Sequence, residues 1–84
     1  MEPRARVHAA EAIRAIGERD VPLARTSIAQ AFSADHKIGP LVDAVYLACA
    51  EIEDDGEVGT ATWDTMADAV VGSDLLAVVE DARG

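Results

Sequence analysis

The chain contains a single cysteine, few aromatic residues, almost no lysine and no long apolar run, and two of these shortages exclude a class of protein. A single cysteine, Cys49, rules out a disulfide framework within the chain. No apolar run approaches the roughly 18 residues that a membrane-spanning helix needs, and the N-terminus lacks the apolar segment of a signal peptide. We therefore expect a cytoplasmic protein that does not contact membranes.

Sequence motifs of known catalytic chemistry are also missing. There is no G-x-S-x-G, no P-loop, no G-x-G-x-x-G and no H-E-x-x-H. The three serines, Ser27, Ser33 and Ser73, show no arrangement with histidine and aspartate that a sequence can reveal. We predict that the protein is not an enzyme and that it uses no cofactor.

Basic residues are almost absent from the second part of the chain. The sequence has sixteen acidic and seven basic residues, for a net charge of −9. Residues 1–37 hold six bases and five acids, whereas residues 38–84 hold eleven acids and one base, Arg83. Such a segment repels itself when it folds, and salt weakens the repulsion. This composition resembles that of proteins from salt-accumulating halophiles, and an acidic protein of a high-GC bacterium is the alternative.

The spacing of the hydrophobic residues is helical throughout, with no convincing strand pattern. The first helix is predicted over residues 3–16, with Gly17 as its stop. Four further helix starts are marked by a capping residue or by a proline, which suits a first turn: Asp20 with Pro22, Pro40, Thr60 or Thr62, and Ser73. The pattern predicts an all-α fold, a compact bundle of four to five short helices, as a single domain over residues 1–84.

The apolar stripes of these helices identify the expected core, and the clearest stripe is in the third helix. The residues predicted to face inward are Ala5, Ala9, Ala12, Ile13 and Ile16; Leu23, Ala24, Ile28, Ala31 and Phe32; Ile38, Leu41, Val42, Val45, Cys49 and Ile52; Trp63, Met66, Ala67, Val70 and Val71; and Leu75, Val78, Val79 and Ala82.

One acidic stretch, IEDDGEVGTATWD at residues 52–64, has part of the pattern of an EF-hand calcium loop. With Gly56 at the sixth position, Glu51, Glu53 and Asp55 occupy ligand positions, but Thr62 stands where the bidentate glutamate is required. The favoured interpretation is a solvated helix end, with Gly56 as a left-handed cap. The alternative is a weak divalent-cation site formed by Glu51, Glu53, Asp55 and Glu57. If the stretch is a helix end, its acidic side chains lie at the negative end of the helix dipole, which is electrostatically unfavourable.

Other candidate residues are isolated in the sequence. His8 with Glu11, or Asp35 with His36, could form half of a metal site, but no second ligand pair accompanies either. Cys49 lies within an apolar stripe and is expected to be buried and inert. Tyr46 and Trp63 could line a pocket, but they are expected to belong to the core or to an interface.

Function is therefore expected to reside in protein–protein contact. Residues 38–81 offer no lysine or arginine to neutralise phosphates, which argues against nucleic-acid binding, and an acidic nucleic-acid mimic is the alternative. A chain this short also gains stability by burying apolar surface against a partner. We predict a protein partner that can be a second copy of the chain, with a homodimer formed through the alanine-rich face of helix one: Ala5, Ala9 and Ala12.

Overall fold

The computed structural model describes all residues from Met1 to Gly84. The chain forms five α-helices and no strand: α1 (Pro3–Gly17), α2 (Val21–Ala34), α3 (Gly39–Asp55), α4 (Thr60–Ala69) and α5 (Leu75–Arg83), with a 3₁₀ turn at His36–Ile38. The predicted all-α bundle is confirmed. Its radius of gyration of 11.1 Å is close to the roughly 12 Å expected for a compact chain of this length.

The helix boundaries follow from local capping. The side chain of Asp20 accepts a hydrogen bond from the Leu23 N–H at the start of α2, and the hydroxyl of Ser73 accepts one from the Leu75 N–H at the start of α5. Gly56 ends α3 with a φ of 78°, as the sequence predicts. Thr60 and Thr62 do not cap α4; the capping position is Gly59. α4 therefore begins where the sequence predicts, but without the predicted side-chain cap.

The core is one cluster of 22 buried hydrophobic residues to which all five helices contribute. α1 and α2 form an antiparallel hairpin, α5 packs on α1, and α3 lies between α2 and α4. None of the helices combines the length and the apolar character that crossing a bilayer demands.

Three of the residues predicted to face inward are exposed instead. Leu23 and Phe32 are 38% and 39% exposed, and Val71 is 72% exposed. The prediction fails for Val71 because α4 ends at Ala69, so that the helical stripe does not extend into the following turn. The prediction fails for Leu23 and Phe32 because the neighbouring helices leave part of the apolar stripe of α2 uncovered.

The prediction that the alanine-rich face of helix one forms a dimer interface is wrong. Ala5, Ala9 and Ala12 are fully buried within the chain, where α1 contacts α2, α3 and α5. The small side chains do allow close helix approach, but the helices that approach belong to the same molecule. A second copy cannot reach this face unless the bundle opens.

Candidate functional site

The acidic stretch is divided between two helices and a short turn. α3 continues through Asp55, so the first five positions of the candidate calcium loop are helical. Thr62, at the twelfth position, is 3% exposed within α4. An EF-hand loop must wrap around its ion, and residues fixed in two helices cannot do so.

The four candidate cation ligands have separate surroundings. The Glu51 carboxylate accepts a hydrogen bond of 3.0 Å from the Gly59 N–H, and Glu53 pairs with Arg25 at 2.6 Å. Glu57 lies 3.8 Å from Arg19, and Asp55 has no ion-pair partner. The structure brings no three histidine, cysteine, aspartate or glutamate side chains together as a metal-binding group.

Two arginines from the α1–α2 hairpin offset the negative end of α3. The Arg19 Nε donates a hydrogen bond of 2.8 Å to the Gly56 carbonyl oxygen, and Arg25 pairs with Glu53 on the last turn. A cation at a helix C-terminus is favourable because the dipole is negative there. These partners are 37 and 28 residues away in the chain, so local reading of the acidic stretch could not find them.

His8, Glu11 and Ser27 lie together between α1 and α2. The buried Ser27 hydroxyl donates a 2.6 Å hydrogen bond to Glu11 Oε1, and His8 Nδ1 lies 4.0 Å from the same oxygen. His8 Nδ1 is itself buried without a hydrogen-bond partner. The serine thus donates its proton to the glutamate and makes no hydrogen bond with the histidine, so these side chains do not form a serine–histidine pair.

The remaining candidates from the sequence also have structural roles. Asp35 accepts hydrogen bonds from the backbone N–H groups of Lys37 and Glu2, which lower its pKa, and the ring of its neighbour His36 lies 5.1 Å from that of Phe32. Cys49 is buried, and burial raises the pKa of its thiol although nearby Arg25 opposes the shift. A buried thiol with a raised pKa is a poor nucleophile.

Trp63 contributes to a cavity of about 400 Å³ between the ends of α1 and α5 and the start of α4. Two arginines line it, but Arg19 is held by Gly56 and Glu57, and Arg83 pairs with Asp64 at 3.1 Å. The cavity therefore offers no unpaired cation to an anionic ligand. Tyr46 does not line it.

The outward side of α3 has a different character. Tyr46 is 42% exposed and Leu47 is 50% exposed, although both lie mid-helix between residues that are fully buried. Ala50, one turn later, is also exposed. We call this surface the α3 outer face and define it by Asp43, Tyr46, Leu47, Ala50 and Asp54.

Phe32 of α2 extends this apolar surface. The Arg25–Glu53 pair shows that the start of α2 lies beside the end of α3, so these neighbouring helices run antiparallel. Phe32 is seven residues after Arg25, and Tyr46 is seven before Glu53. Seven residues are close to two helical turns, so Phe32 and Tyr46 belong to the sides of their helices that carry the Arg25–Glu53 pair, at a similar height.

Comparisons of the chain with protein-family models, with curated proteins and with solved structures give no match. Function is therefore inferred from the side chains and surfaces of this chain alone.

Proposed function

We propose that the chain is a non-catalytic protein-binding domain and that its contact surface is the α3 outer face. The observation that carries the proposal is the exposure of Tyr46 and Leu47, with Phe32 beside them, on a chain that has only three aromatic residues. Aromatic side chains are enriched at the centres of protein interfaces, because they bury much apolar area at a low cost in conformational entropy.

The size of the exposed surface is consistent with such a role. A phenylalanine or tyrosine has roughly 150–250 Å² of buriable area, so that two-fifths of it amounts to roughly 60–100 Å² for each ring. With Leu47, the surface reaches roughly 200–300 Å², close to the lower end of the apolar patches that are functional on monomers. Scattered single residues would need no such explanation.

The alternatives have less support. A weak divalent-cation function at residues 51–57 would compete with the hydrogen bond and ion pairs that Glu51, Glu53 and Glu57 already make. A nucleic-acid mimic would be favoured by the acids of residues 38–84, but it does not account for apolar side chains on the same surface.

Affinity purification from cells that express the chain tests the proposal, with wild type, Leu47→Ser and Val71→Ser as baits. Val71 is the matched control because it is the most exposed large hydrophobic residue and lies outside α3. A captured protein, once purified, is expected to bind wild type and Val71→Ser equally and to bind Leu47→Ser about tenfold or more weakly. Equal binding by all three forms would exclude the α3 outer face as the contact surface.

A further inference from the structure

We infer that the α3 outer face binds a cationic amphipathic helix of another protein. This inference rests on the proposed function, since it names the partner class for the same surface. It goes further in specifying both the secondary structure and the charge of the partner.

The shape of the surface favours a helix as the partner. α3 has 17 residues, which give it a length of roughly 25 Å. Its exposed apolar residues form a narrow strip, since Leu47 and Ala50 are three residues apart and Tyr46 and Ala50 four apart. A helix laid alongside presents side chains at the same spacing, as helix-binding surfaces do.

The charges at both ends of the strip select a cationic partner. Asp43, Leu47, Ala50 and Asp54 follow one another at steps of four, three and four, so they form a single row with an acid at each end. Both aspartates are exposed and make no ion pair or side-chain hydrogen bond.

No base on the same helix competes for these aspartates, because lysine and arginine are absent between Ile38 and Ala82. The only arginine on α2, Arg25, is occupied by Glu53, and Lys37 makes no ion pair with either aspartate. A partner helix with a lysine or arginine one turn before and one turn after its apolar anchors would place a cation at each aspartate.

A second copy of the chain fits the surface less well. A two-fold axis through the α3 outer face would bring the unpaired Asp43 and Asp54 of both molecules together, and like charges across an interface are unfavourable. The apolar area is also small beside the roughly 800 Å² per partner of a standard stable interface. A small contact of this kind is typical of a weak, transient complex.

The test is a titration of the ¹⁵N-labelled chain with designed peptides, followed by amide chemical shifts. The first peptide is an amphipathic leucine–lysine helix of about 18 residues, roughly the length of α3. One control replaces its lysines with glutamate, and a second has the same composition in an order without an apolar stripe. We expect the first peptide alone to bind, with shifts concentrated on the α3 outer face and Phe32, and to bind several-fold more weakly in high salt.

Variants of the chain separate the apolar contribution from the charge. Leu47→Ser is expected to weaken binding about tenfold, and Asp43→Asn with Asp54→Asn at least about threefold. Val71→Ser and Asp68→Asn are the matched controls, because Asp68 is an exposed acid without an ion pair on α4, and both should bind like wild type.

Chemical shift changes spread over the whole acidic surface would show non-specific attraction and overturn the inference. So would a loss of peptide affinity in Asp68→Asn equal to the loss in the variant with Asp43→Asn and Asp54→Asn. Equal binding of the glutamate peptide would overturn the selection for a cation. Failure of every peptide would overturn the cationic-helix inference, whereas the proposed function would still stand if a purified partner lost affinity for Leu47→Ser in the capture experiment.

Discussion

Replacing Gly17 with alanine is expected to destabilise the protein, although alanine is the better helix former. Gly17 is the last residue of α1, where the sequence suggests that it simply stops the helix. The structure gives it another role, because a Cβ at this position would lie 2.8 Å from the Ala82 carbonyl oxygen and 3.0 Å from the Ala82 Cβ on α5. Gly17 is therefore needed for the close contact between α1 and α5.

The size of the effect follows from two opposing terms. Alanine gains at most about 1 kcal/mol over glycine in a helix. Forcing a methyl group into a packed contact costs about 1–3 kcal/mol, and here the obstacle is backbone, which cannot rotate away. The net expectation is a loss of about 1–2 kcal/mol in the free energy of unfolding. For a domain of this size, each kcal/mol lowers the melting midpoint by roughly 4–8 °C.

Gly39→Ala is the matched control. Gly39 is also helical, with a φ of −47°, but no atom beyond its chain neighbours lies within 4 Å of a Cβ added there. The same substitution meets no other helix, although Pro40 disfavours the helical conformation of an alanine before it, so we expect a stability within about 1 kcal/mol of wild type. Thermal melts by circular dichroism and urea titrations measure both variants. A Gly17→Ala midpoint at or above that of wild type would refute the close-contact argument.

Four further predictions concern charge and assembly. The melting temperature should rise when the KCl concentration is increased from about 0.1 to about 2 M, because salt screens the repulsion between the acids of residues 38–84. A melting temperature that stays flat or falls would contradict this. Urea titrations should show stability declining as the pH falls below about 4, because hydrogen bonds lower the pKa values of Asp35 and Asp74, whose stabilising effect is lost as they are protonated; unchanged stability down to about pH 2 would contradict this. Calorimetry should find calcium binding no tighter than about 1 mM, and micromolar binding that Asp55→Ala abolishes would instead establish the cation site. Light scattering in dilute salt should give the monomer mass of 8.8 kDa, whereas a dimer there would contradict the charge argument against a second copy.

The helices could be predicted because their signals are local. Asp20 caps α2 and Gly56 ends α3 through bonds and dihedral angles within a few residues of themselves. The stripe of α3 likewise identified Leu41, Val45 and Cys49 as buried. Hydrophobic residues that recur every three or four positions predict the buried residues well when only one side of the helix is covered by its neighbours.

The surfaces could not be predicted, because they depend on which helix covers which side. Phe32 fits an apolar stripe on α2, yet it remains 39% exposed. The alanine face of helix one was correctly identified as a close-packing surface, but sequence alone cannot say whether the approaching helix belongs to the same molecule. The contact between Gly17 and Ala82 joins the first and last helices, which are distant in the sequence, and leaves no local signal.

The charge asymmetry of the chain raises the same question, because sequence alone does not say whether opposite charges pair within one molecule or between two. From sequence, the arginines of residues 1–37 and the acids of residues 38–84 could attract each other between molecules. In the structure Arg6 pairs with Asp74, with an Nε–Oδ2 distance of 2.8 Å, while Arg19 and Arg25 pair with Glu57 and Glu53. Exposed ion pairs of this kind contribute little stability individually.

Their larger consequence is that they occupy four of the seven basic side chains, whereas Arg4, Arg14 and Lys37 make no ion pair. Acids such as Asp43 and Asp54 are left without a partner on α3, whose outward side also exposes Tyr46 and Leu47. A basic group that approaches this helix from another protein therefore meets aspartates that no arginine of the chain already holds. Internal pairing thus weakens the electrostatic reason for self-association, and it leaves Asp43 and Asp54 on the outward side of α3 free to attract a cationic partner.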